Sequence, residues 1–188
     1  GWSQSPECVD ELMQVQRLVY LLGNHDLWAT DWFLFGNIPT IWEEQGGETA
    51  MEAYNRPAYR AKQAEHLDFF LKARFKFLDE ENRLFVHGGI DPGVPLDEQS
   101  ESDMIWDRAL FNRREGVPDY KEIFIGHTAT LTQGTDKPLQ FEENDNIWRL
   151  DTGAGWHGRL TIMEVASHEF WQSDPVMDLY PDESGRME

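Results

Sequence analysis

Six histidines occur in the chain, and three of them share a setting that the others lack. His25 stands in Leu22-Gly23-Asn24-His25-Asp26, His87 in Val86-His87-Gly88-Gly89, and His127 in Ile125-Gly126-His127-Thr128. Each follows a short apolar run that reads as a strand, with glycine close by. Glycine admits unusual backbone angles and the close approach of other groups. One histidine in such a place is most simply a polar strand cap, whereas three together point to one shared site. Three imidazoles suit a borderline divalent metal ion, and Asn24 adds an amide oxygen. An imidazole that titrates near about 6.5 can also carry a proton to or from a reacting group.

The elements that must position these residues follow from pattern. Ser5-Pro6-Glu7 opens a helix with a cap residue, proline in the first turn and an early acid. Residues 17–22 form a short apolar run closed by Gly23, the form of a strand buried on both faces. An aromatic stretch follows (Trp28, Trp32, Phe33, Phe35), then Gly46-Gly47 and a helical segment over 48–74. Residues 75–78 and 83–87 flank Asp79-Glu80-Glu81-Asn82 as a hairpin. Residues 91–103 lack a period and read as a surface loop, followed by a short helix over 104–113. Strands are expected over 121–125, 139–141, 146–150, 159–165 and 169–172, and a loose tail from Pro175. This alternation predicts an α/β fold in which strand ends gather polar loops at one edge.

Composition bounds the reading. With 188 residues the chain is expected to form a single domain over 1–188, and 40% hydrophobic and 13% aromatic residues, including eight Trp, exclude a disordered polymer. A net charge of −19 argues against nucleic-acid and membrane partners, whose phosphates it repels. Cys8 is the only cysteine, so no internal disulfide can form, and no apolar run nears the ~18 residues of a spanning helix. A reducing, cytoplasmic setting is expected. Composition says nothing of the oligomeric state. Gly1-Trp2-Ser3 carries no initiator Met and no leader pattern, which reads as an interrupted chain.

Gly23-Asn24-His25-Asp26, His87-Gly88-Gly89 and Gly126-His127-Thr128, in that order, resemble the last three signatures of the calcineurin-like metallophosphoesterases, specifically the bacterial-type phosphoprotein phosphatase branch. Ile105-Trp106-Asp107-Arg108 resembles the motif with a phosphate-binding Arg in bacterial and phage members. Leu150-Asp151-Thr152-Gly153-Ala154 with Gly158-Arg159-Leu160-Thr161 resembles the closing strand pair, so the resemblance covers residues 1 to 166. It implies a sandwich of two mixed β-sheets flanked by helices.

The resemblance also implies roles. Asn24, His87 and His127 would ligate a metal, His25 would be the general acid with Asp26 beside it, and Arg108, Asn24 and Trp156 would contact substrate. Two divalent ions (Mn²⁺ foremost, or Fe²⁺ or Zn²⁺) would serve the intact enzyme, which by this resemblance is a serine/threonine protein phosphatase that hydrolyses phosphate monoesters, of a phosphoprotein or a small phosphoester, with a metal-activated water. The first two signatures of the family, Gly-Asp-x-His and Gly-Asp-x-x-Asp, do not occur in these residues, so this N-terminally truncated chain alone is expected to bind at most one ion. The rival readings are hydrolysis of a dinucleoside polyphosphate, which uses the same signatures, and an inactive metal- or partner-binding domain.

Other residues take structural readings. His66, in a helix among charges, is expected to be solvated, and His157 and His168 to lie in turns. Asp151 reads as a turn residue and Cys8 as a small buried helix residue. Asp97, Glu98, Glu101 and Asp103 read as a solvated loop rather than a calcium site.

Overall fold

The computed structural model describes residues 1–142, 145–183 and 185. Helix α1 (Ser5–Met13) has Pro6 in its first turn and buries Pro6 and Val9. Cys8 lies off that face and is exposed, not buried as expected. Residues 17–22 do not form the doubly buried strand. Leu21 makes one parallel bridge to Arg74, while Leu18 and Val19 are exposed. Such a strand needs neighbours on both sides, and Arg74 alone pairs with this run among the described residues.

The aromatic stretch is helix α2 (Asn24–Phe35). Trp28 is buried, Phe33 meets Tyr54 edge-on at 4.9 Å, and Phe35 faces solvent at 70% exposure. Helix α3 (Thr40–Trp42) runs through a π turn, Glu43–Gly47, into α4 (Glu48–Asn55). The helical segment expected over 48–74 is broken. Pro57 forces Arg56 to an extended ψ of 138°, and the chain resumes as α5 (Pro57–Arg60) and α6 (Gln63–Phe70). His66 of α6 is fully buried, contrary to the solvated position expected. Its Nδ1 is 2.8 Å from the Tyr54 hydroxyl and its Nε2 3.1 Å from the Asp10 carboxylate. Both ring nitrogens are thus served by α4 and α1, a solution that helix periodicity alone does not reveal.

Strands β1 (Lys76–Leu78) and β2 (Arg83–Val86) form the expected hairpin, with Asn82 in the left-handed region at φ 63°. Two short helices, α7 (Glu101–Trp106) and α8 (Ala109–Asn112), replace the single helix expected there, separated at Asp107-Arg108. Strand β3 (Glu122–Ile125) pairs in parallel with β2, and β4 (Ile147–Arg149) in parallel with β3. The sheet order is β1-β2-β3-β4. Leu84, Val86, Ile123, Ile125 and Ile147 bury the sheet with Leu110 and Phe111 of α8. Residues 139–141 contribute only a bridge from Leu139 to Arg149.

Strands β5 (Thr161–Met163) and β6 (Phe170–Gln172) form a second sheet, an antiparallel pair, so the expected architecture of two sheets with flanking helices is present. The tail is packed as far as Glu183. Helix α9 (Val176–Leu179) buries Val176, Tyr180 stacks on Trp2 at 4.9 Å, and the Ser3 N–H donates to Glu183 at 2.9 Å. The rest of the expected loose tail, residues 184 and 186–188, lies outside the described residues. Among the described residues no helix is long and apolar enough to cross a membrane.

Candidate active site

Three chain segments meet where β2, β3 and the start of α2 end or begin. Gly23 precedes α2 in an extended conformation, and a Cβ there would lie 2.8 Å from the His87 ring, so only glycine lets the two segments approach. Asn24 opens α2, His87 follows β2 and His127 follows β3. The Asn24 Oδ1 stands 3.0 Å from His87 Nε2 and 3.1 Å from His127 Nδ1, and the two imidazoles are 5.1 Å apart. His127 sits at φ 63°, and the Thr128 N–H donates to the Gly126 carbonyl at 2.6 Å, closing a three-residue turn around it. Such turns cost energy and are concentrated where geometry matters for function.

Electrostatics favour a neutral donor set. Burial, then the nearby His127 and Arg108, push the His87 imidazole down to about 3, so it stays uncharged with a lone pair available at neutral pH. One amide oxygen and two imidazoles fit a divalent cation in donor chemistry. Among the described residues no group of three or more His, Cys, Asp or Glu is placed to hold a metal. The trio therefore fits as part of a coordination shell and needs further ligands to complete one.

His25 lies next to Asn24 at the start of α2, with its ring edge-on to Trp28 at 5.0 Å. Trp28 packs on Trp106 at 5.2 Å, and Trp106 meets His127 at 90° and 6.0 Å. This aromatic chain braces both histidines from behind. Arg108 stands at the break between α7 and α8 and donates from its guanidinium to the Thr128 hydroxyl at 2.9 Å. Helix α8 is in turn anchored by Arg149, whose fully buried guanidinium donates to the Phe111 carbonyl at 2.6 Å and pairs with buried Asp145 at 2.7 Å.

Asp26 lies two residues after Asn24 in α2. Its carboxylate accepts from the Gly23 N–H at 2.8 Å, capping α2. Burial pushes its carboxyl up, opposed by the Tyr20 hydroxyl and the Gly23 N–H.

A cavity of about 160 Å³ gathers Asn24, His25, His87, Arg108, His127 and Trp156. His157 lies outside it, its ring 4.8 Å from Trp156, and His168 pairs with Glu122 at 2.6 Å in the β5–β6 turn. The cavity also takes in Gly1, Gln45, Ala129, Asp151, Gly153 and Gly155. The sequence reading assigned no site role to these. Asp151 lies in the motif of the closing strand pair and reads there as a turn residue, while Gln45 lies in no motif and carries no signal. Larger hollows of about 310 and 610 Å³ occur elsewhere, but neither brings histidines together.

A crystal structure of a candidate diadenosine tetraphosphatase superposes with a TM-score of 0.60 over 90% of this chain and 72% of its own, at 14% identity. The fold is phosphoesterase-like. No protein-family profile matches the chain. A symmetrical bis(5'-nucleosyl)-tetraphosphatase of Vibrio campbellii is 28% identical over 82% of this chain, and one of Vibrio parahaemolyticus 24% over 89%. The chain spans 44% and 49% of those relatives, just under half their length. Both curated relatives are tetraphosphatases by name. They do not single out the phosphoprotein phosphatase branch.

Proposed function

We propose that the chain is the histidine-bearing part of a metal-dependent phosphoesterase that cleaves a phosphoanhydride in a dinucleoside polyphosphate. The observation that carries this reading is the convergence of Asn24, His87 and His127 beside His25 and Arg108 in one cavity. The names of the matched relatives favour an anhydride over the phosphoserine or phosphothreonine ester that the sequence motifs first implied.

In this reading Arg108 grips the phosphoryl oxygens, because a planar guanidinium donates two parallel hydrogen bonds. His25 donates a proton or a hydrogen bond to the leaving oxygen. A phosphate leaving group needs less of this help than an alkoxide. Asn24, His87 and His127 hold a divalent ion, with Mn²⁺, Fe²⁺ and Zn²⁺ all compatible with these donors. Bound divalent ions supply charge neutralisation and an acidified water. Trp156 lines the cavity, where it would contact substrate.

The test is product analysis with Mn²⁺. Symmetrical cleavage of diadenosine tetraphosphate to ADP, abolished by EDTA and by His87→Ala, supports the reading. Phosphate release from a phosphothreonine peptide with the tetraphosphate left intact would restore the protein phosphatase reading, and no turnover of either by a chain that binds Mn²⁺ would favour a binding domain.

A further inference from the structure

Five glutamines are buried or half-buried among the described residues: Gln45, Gln63, Gln99, Gln140 and Gln172. Four of them donate their side-chain N–H to backbone carbonyls, of Tyr54, of Asp91 and Val94, of Asp145 and of Asp136 respectively. Gln45 alone bonds to no described residue with its carboxamide, and it lines the cavity that holds Asn24, His25 and Arg108. Its carboxamide atoms are not sealed from solvent, so they are available to a ligand that enters the cavity.

The backbone holds Gln45 in this position. It lies inside the π turn Glu43–Gly47 with non-helical angles of φ −100° and ψ 30°. Gly46 beside it takes φ 89° and packs so tightly that a Cβ would lie 2.6 Å from the Gly1 Cα. Buried Trp42 anchors the turn at its start.

Resting on the anhydride reading above, we propose that Gln45 is a substrate-contact residue. Its carboxamide donates to an oxygen of the phosphoryl group beyond the one held by Arg108, on the leaving-group side. An uncharged donor suits that place, since Arg108 already supplies a cation and Gln45 enters the cavity from a different element, between α3 and α4.

The test compares two probes in the presence of Mn²⁺, ADP with two phosphoryl groups and inorganic phosphate with one, titrated calorimetrically against the wild-type chain, Gln45→Leu and Gln45→Glu. Thermal melts check that each variant folds. Gln45→Leu should weaken ADP about tenfold, the loss of one hydrogen bond to a charged group, and weaken phosphate by less than a third as much. Gln45→Glu should weaken ADP further by repulsion. Equal losses for the two probes, an ADP affinity within about twofold of wild type in both variants, or no ADP binding by the wild-type chain overturns the proposal. Turnover does not enter this comparison. A chain that binds ADP through Gln45 yet cleaves no tetraphosphate defeats the anhydride reading alone.

Discussion

The Asn24 carboxamide oxygen stands 3.0 Å from Nε2 of His87, across 63 residues of sequence. The contact exists because Gly23 lets α2 begin against the end of β2. If the pair shares a cation, Asn24→Ala and His87→Ala should each weaken Mn²⁺ binding at least about tenfold in calorimetry, the usual cost of losing a ligand or its support. Unchanged Mn²⁺ affinity in both variants would place the ion elsewhere.

His25 lines the cavity and leans edge-on against Trp28. His25→Asn should slow esters with poor leaving groups by about a hundredfold or more, and p-nitrophenyl phosphate far less, since general acids contribute about that much. Equal losses on both substrates would remove His25 from the proton-donating role.

Arg149 and Asp145 are paired at 2.7 Å with both side chains fully buried. Arg149→Met leaves the Asp145 charge unpaired and strips the donors from the carbonyls of Phe111 and Arg113. The expected loss is about 3–5 kcal/mol in chemical denaturation. A loss under about 1 kcal/mol would show that the site relaxes or takes up water.

The Lys62 ammonium, bonded to both Asp10 oxygens at 2.8 and 2.6 Å, holds the Asp10 carboxyl below the usual carboxylate range despite partial desolvation, with His66 assisting. A depressed acid contributes stability that is present above the unfolded value of about 3.9 and is lost as pH falls through the lower folded value. Lys62→Met should therefore lower Tm at about pH 7, and the difference from wild type should shrink toward about pH 3. A difference independent of pH would mean that Lys62 acts through packing on Tyr59, over whose ring it sits at 5.4 Å.

Much of the frame was readable along the chain. The hairpin around Asn82 and strands β3 and β4 appear where alternation and turn residues placed them, because those signals act between near neighbours. The glycine-flanked histidines likewise stood out, since the demand for a small residue beside a ligand is local. Other features depended on partners far away in sequence. His66 is buried because Asp10 and Tyr54 arrive to satisfy its ring, and the break at Asp107-Arg108 turns a helix into a platform for a guanidinium. Residues 17–22 are apolar enough for an inner strand, yet a strand is defined by its neighbours, and among the described residues Arg74 alone supplies one.

The residue types along the chain by themselves determined the α/β alternation and the candidates for metal and phosphate contact. Only the tertiary structure decided which of them share a cavity, engaging Asp26 in the cap of α2 and bringing in Gln45 from a segment with no motif and Asp151 from a turn. The physical reason is range. Propensity and capping act over a few residues, whereas a site is made by side chains that meet through packing and unmet hydrogen bonds across the whole chain.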